Sequence, residues 1–149
     1  MAKVWRIKPA RLAAWAARFP NARVLTVSNT GFNIFAPMPA ELSFEIAGAV
    51  AGLRRLESLS LRTCEIGDDG ACALAAALLH VPGLKQLDVS RNGIGAVGSG
   101  ALAAALPHVP GLEKLNMGRD NIFDSIGNDG EAALRAAAAG ACPGLALSL

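Results

Sequence analysis

Apolar residues recur along the chain at fixed offsets. Leu56-Glu-Ser-Leu59-Ser-Leu61-Arg-Thr-Cys64-Glu-Ile66, Leu84-Lys-Gln-Leu87-Asp-Val89-Ser-Arg-Asn92-Gly-Ile94 and Leu112-Glu-Lys-Leu115-Asn-Met117-Gly-Arg-Asp120-Asn-Ile122 each start 28 residues after the last. Leu59 and Leu61 alternate with Ser58, Ser60 and Arg62, which predicts a short strand with one face inward and one outward. The apolar period then changes. Ile66-Gly-Asp-Asp-Gly70 leads to Leu74 and Leu78, and Ile94-Gly95-Ala-Val-Gly98 leads to Leu102 and Leu106. Leucines four apart share one face of a helix. His80-Val-Pro82-Gly83-Leu84, His108-Val-Pro110-Gly111-Leu112 and, loosely, Cys142-Pro143-Gly144-Leu145 follow, and Pro with Gly stops a helix and returns the chain to the next strand.

Local signals fill in the rest. Asp68 and Asp69 stand where a helix N-cap is wanted, Asn128 and Asp129 repeat the device, and Ser99 could serve the helix between them. In the third unit Phe123 to Ile126 make a four-residue insertion, placed between strand and helix. Upstream, Val24 to Asn29 reads as a strand, with Phe32 in the seat of Ile66. Asn33 to Ala40, with Pro37 and Pro39, reads as an irregular loop before a helix over Glu41 to Val50. Pro9 to Arg18 reads as a helix with Leu12, Trp15 and Phe19 on one face, and a further strand is expected near Val4 to Ile7. Leu145 to Leu149 supplies a partial last strand. The total is about five strands and five helices, apart from that near Val4 to Ile7.

The pattern LxxLxLxx(N/C)xI carried through strand, loop, helix and exit resembles the leucine-rich repeat of the ribonuclease-inhibitor type, over roughly Arg23 to Leu149. The resemblance implies a short, curved, right-handed solenoid with a parallel inner sheet and outer helices. It implies one domain over 1–149, with irregular N-terminal units to 55, repeats at 56–83, 84–111 and 112–144, and a partial strand at 145–149. In this family an Asn at the position of Asn92 hydrogen-bonds the neighbouring turn, and a buried Cys, as at Cys64, is an accepted substitute; Asp120 departs from that rule. Such units cannot bury their faces alone and must stack. The C-terminal face, closed by Leu145, Leu147 and Leu149, is expected to need a partner or a second copy.

Composition narrows the class. Hydrophobic residues make up 52% of the chain and aromatics 5%, which excludes disorder and points to small-residue layers. The most apolar window, Ala71 to Val81, is far shorter than the roughly 20 residues of a membrane span. Three cysteines without a close pair argue for a reducing compartment, cytoplasmic or similar. Charge is uneven: Lys3, Arg6, Lys8, Arg11, Arg18 and Arg23 precede the first acidic residue, Glu41. That start is read as a basic capping unit, with organelle import or docking to an acidic partner as alternatives. No nucleic-acid partner is expected.

Two motifs suggest chemistry. Gly93-Ile-Gly95-Ala-Val-Gly98 outlines a dinucleotide fingerprint, but Ser90 to Asn92 separate it from the strand and the repeat makes it a helix start. His80 and His108 share one repeat position about 5 Å apart if spaced like strands, yet no third ligand shares their column. No nucleophile lies beside either histidine, so no enzyme activity, cofactor or metal is expected. What remains is the outward sheet face, the surface that solenoids use for binding. Its candidates are Ser58, Ser60, Arg62, Gln86, Asp88, Ser90, Lys114 and Asn116, with Arg91 and Arg119 at the rim. Arg is enriched among binding hot spots, which makes Arg62, Arg91 and Arg119 the anchors. Phe32, Phe35 and Phe123 in the loops form a rival site. The expected function is protein binding by a module or assembly subunit. The alternatives are a small-GTPase regulator offering Arg91 or Arg119, and a structural array that stacks through its C-terminal end.

Overall fold

The structure is a computed structural model that describes residues 6–7, 12–27, 40–118 and 126–149. Its elements run β1 (Arg6–Ile7), α1 (Leu12–Arg18), β2 (Val24–Val27), α2 (Ala40–Gly52), β3 (Ser58–Ser60) and α3 (Gly67–Leu78). They continue with β4 (Gln86–Asp88), α4 (Ala96–Ala105) and a 3-10 turn at Leu106–His108, then β5 (Lys114–Asn116), α5 (Gly127–Ala141) and β6 (Ala146–Ser148). The strands form one parallel sheet in chain order, six counting the N-terminal pair of residues. Each helix packs on the helices before and after it. Strands repeat every ~4.8 Å and packed helices every ~8–10 Å, so the helices take the outside of a curve and the sheet the inside. The fold is a leucine-rich-repeat solenoid.

The inward positions stack in register. Leu25, Leu59, Leu87 and Leu115 lie directly opposite one another on successive strands and are all buried. Val27, Leu61, Val89 and Met117 form the next layer, and Leu74, Leu78, Leu102, Leu106 and Leu134 close on them from the helices. The N-terminal end contributes Leu12, fully buried on α1, with the rings of Trp15 and Phe19 packed at 5.5 Å.

The ladder expected at Asn92 is present. Its Oδ1 accepts from Cys64 N–H at 2.8 Å, and its Nδ2 donates to Leu61 O and Val89 O at 2.8 Å each. One turn earlier the Cys64 thiol donates to Val27 O at 3.6 Å. The third rung, Asp120, and the insertion as far as Ser125 lie outside the described residues, as do the loop with Pro37 and Pro39 and the three loop phenylalanines; Ile126 is buried at the cap of α5.

The helix starts differ from expectation. α3 opens at Gly67 with Ile66 at its cap, and no side chain caps it. Asp68 instead sits in the first turn, and its Oδ1 accepts from Gly95 N–H at 2.7 Å and Gly98 N–H at 2.8 Å. It therefore caps the helix of the next repeat. α5 likewise begins at Gly127 without a side-chain cap, leaving Asn128 and Asp129 exposed. Ser99 is buried inside α4 and donates to Ala96 O at 3.1 Å. Adjacent helices meet at glycine. A Cβ on Gly98 would lie 2.7 Å from Asp68 Oδ1 and 2.8 Å from Ala71 Cβ, and one on Gly130 would strike the Ser99 hydroxyl.

The residue before each of β2 to β5 is also stacked. Glu57 N–H donates to Arg23 O, Lys85 N–H to Glu57 O and Glu113 N–H to Lys85 O, each at 2.8 Å. The side chains in this row alternate in sign, and Arg23 and Glu57 form an ion pair at 3.0 Å.

Candidate functional site

The outward sheet positions form two continuous columns. One runs Val24, Ser58, Gln86, Lys114, Ala146 and the other Thr26, Ser60, Asp88, Asn116, Ser148. These are the columns expected from the repeat, and β6 extends each by one position. Gln86 and Lys114 are exposed, and Ser58, Ser60, Asp88 and Asn116 half-buried, as befits short side chains on a curved sheet. Strand pairing fixes their spacing at ~4.8 Å.

Ser90 does not belong to the exposed face. It is 4% exposed, because its N–H and its hydroxyl both donate to Asp88 Oδ1, at 3.0 and 2.6 Å. Alternation assigned it outward, but the chain is already turning off the sheet there, and the carboxylate draws the turn in. Asn116 does the same one strand later, accepting from Gly118 N–H at 3.0 Å. Both side chains are thereby oriented from one end, leaving Asp88 Oδ2 and Asn116 Nδ2 as the ends to offer outward.

Beyond the strands, Arg62 is exposed on the face and Arg91 at the rim. Arg91 and its repeat equivalent Thr63 adopt left-handed backbone, with φ of 60° and 57°, a conformation uncommon outside glycine that swings the chain off the sheet. Arg119 lies outside the described residues. Among the described residues the face carries no aromatic side chain. Among the described residues the exposed large apolar groups, Phe44 (60%), Leu79 (49%) and Val97 (69%), belong to the helical layer, a feature the repeat pattern does not announce.

The glycine motif has no room for a phosphate: the Gly95 and Gly98 N–H groups that would cradle one are bonded to Asp68. His80 and His108 are exposed at successive helix exits. Helix spacing of ~8–10 Å sets them farther apart than strand spacing would. Among the described residues no three potential metal ligands converge. Cys64 and Cys142 are buried and Cys72 half-buried, and no disulfide joins any two of them. Burial pushes the Cys142 thiol pKa up, and its Sγ donates to Val109 O at 3.5 Å. No described helix is long and apolar enough to cross a membrane.

A family model described as Leucine Rich repeat matches residues 53–75 and 84–103. No curated protein matches the sequence. Among solved structures, that of leiomodin-1 actin-binding site 2 is similar in fold. It aligns with a TM-score of 0.69 at 16% identity, covering 95% of this chain and 77% of its own.

Proposed function

We propose that the chain is a non-catalytic protein-interaction module, and that its partner lies along the concave face. The observation that carries this is the pair of in-register columns, in which polar residues fill the central positions from Ser58 and Ser60 to Lys114 and Asn116. Their low profile lets a partner approach the sheet closely. Gln86, Lys114, Asp88 and Asn116 offer directed polar groups, and Arg62 and Arg91 flank them as anchors. Ser58 and Ser60 serve as the shelf on which partner side chains rest. Three cysteines that form no disulfide suit a reducing compartment.

The leiomodin-1 region of similar fold is an actin-binding site by name, so actin is the first partner to try. Arg62→Glu and Lys114→Glu, singly and together, are expected to weaken capture of the cognate partner at least tenfold, with unchanged circular dichroism. Undiminished capture by the double variant would remove the concave face from the proposal. The regulatory alternative needs an arginine offered to a nucleotide, for which Arg91 is the described rim candidate. A small-GTPase panel whose turnover does not change on adding the chain disposes of it.

A further inference from the structure

We propose that the edge of the solenoid where the helices end, centred on Arg54 and Arg55, docks an acidic segment of a partner protein whose apolar side chain rests on Leu79. The site is separate from the concave face and does not depend on the function proposed for it.

The exit turn repeats along this edge. Ala22, Leu56, Leu84, Leu112 and Leu145 N–H each donate to the carbonyl three residues back, at 2.9 to 3.1 Å. The two residues inside the turn are Pro20-Asn21, Arg54-Arg55, Pro82-Gly83, Pro110-Gly111 and Pro143-Gly144, all exposed. One unit therefore sets two long cations where the others set short stop residues. The seat has room for them: a Cβ on Gly111 meets nothing within 4 Å, and one on Gly83 meets only Leu56 O at 4.0 Å. Arg54 and Arg55 rise from a low edge, with no larger side chain in the turns on either side.

Neither guanidinium serves the fold. Arg23 pairs with Glu57 and Arg135 with Glu131, but among the described residues Arg54 and Arg55 meet no acid and no carbonyl. An arginine that capped α2 would bond its last carbonyls; Val50 O accepts instead from Leu53 N–H at 2.9 Å.

The surroundings select the occupant. Arg18 ends α1, and His80 and His108 lie in the exits of α3 and α4, all exposed. Helix packing sets successive exits ~8–10 Å apart. Among the described residues the exit turns hold no acid; Asp68, Asp69 and Asp129 stand at the opposite edge, in the first turns of α3 and α5. Glu57, next inward from Arg55, is engaged by Arg23. Leu79, beside His80, is 49% exposed and lies one helix along from the arginines. A nucleic-acid groove engages about 6–10 phosphates, more than this edge can meet, and has no use for an exposed leucine. Adjacent guanidinium forks match carboxylates, and Leu79 matches an apolar residue among them.

Fluorescence anisotropy on the full chain, with a labelled peptide of Asp and Glu around one Leu, reads the site. Arg54→Pro with Arg55→Gly copies Pro82-Gly83, so circular dichroism should not change while affinity falls by roughly tenfold or more. Arg54→Glu with Arg55→Glu, which puts no proline in the turn, should abolish binding. Leu79→Ala should weaken the peptide, yet leave unchanged the weaker binding of a version with Gly in place of Leu. Arg62→Glu should leave the peptide's affinity as it is: Arg62 lies roughly 15 Å from Arg55 along the strand direction, beyond the ~8 Å Debye length at about 0.15 M salt. The two surfaces are thereby read apart. Equal affinity for the native chain and both double variants overturns the proposal, as does equal binding of a peptide with Asn and Gln for Asp and Glu. Tighter binding of a single-stranded oligonucleotide, or self-assembly of the chain that the double variants abolish, overturns it too, because either gives the edge a different occupant.

Discussion

Removing the Asn92 side chain tests whether the repeats are locked through their turns or only through their leucines. Asn92 is 3% exposed. Asn92→Ala strands Cys64 N–H and the carbonyls of Leu61 and Val89, all bonded at 2.8 Å in the native chain. Each buried polar group left without a partner costs about 1–3 kcal/mol. Water entering the vacated space recovers part of that, so a total of about 3–4 kcal/mol is expected. For a stability of roughly 5–15 kcal/mol this is a large fraction, and at ~2–4 °C per kcal/mol it lowers Tm by about 10 °C. Asn92→Cys copies the side chain that Cys64 uses at the equivalent seat. It restores a weak donor and fills volume, and should cost about half as much. Urea unfolding followed by circular dichroism reads both values, and hydrogen exchange at Cys64 N–H reports the local loss. A cost below about 1 kcal/mol for the alanine variant, or equal costs for the two, would refute a ladder that holds the turns together.

Three further outcomes follow from the same geometry. Gly98→Ala should destabilise by about 1–3 kcal/mol through overpacking against Asp68 and Ala71, whereas Gly100→Ala, which meets nothing within 4 Å, should stabilise by about 0.5–1 kcal/mol; thermal melts of the pair decide it. Asp68→Ala should cost about 1 kcal/mol, with faster hydrogen exchange at Gly95, the cap of α4, and at Gly98 within it, and no change at the start of α3. With a thiol reagent at mildly alkaline pH, Cys72 should react first. A pKa raised by burial keeps Cys142 in its unreactive thiol form until pH rises further or the chain unfolds, so a Cys142 labelled as fast as Cys72 would contradict its placement.

Much of this architecture could be read from spacing because a parallel solenoid turns sequence period into spatial register. Ser58, Gln86 and Lys114 are 28 residues apart and lie side by side for that reason. What escaped were contacts that cross between repeats or fall where a period ends. Capping logic is local, and it assigned Asp68 to its own helix; the carboxylate bonds amides 27 and 30 residues later, which no single-helix pattern encodes. Ser90 has the parity of an outward residue, but strand parity stops meaning anything once Asp88 bends the chain. For the candidate face, residue positions were legible, whereas its orientation by Asp88 and Asn116 was not.

The alternating row Arg23, Glu57, Lys85, Glu113 has a consequence for assembly. Leu59, Leu87 and Leu115 are interchangeable, so the hydrophobic pattern alone would let β3 skip β4 and dock on β5, or β2 dock on β4. Either error sets like charges side by side, Glu57 against Glu113 or Arg23 against Lys85. At roughly 0.2–1 kcal/mol per cross-strand pair, each penalty is small in the finished fold. During folding it acts as a parity check: a chain built of near-copies can tell odd units from even ones while its leucines cannot.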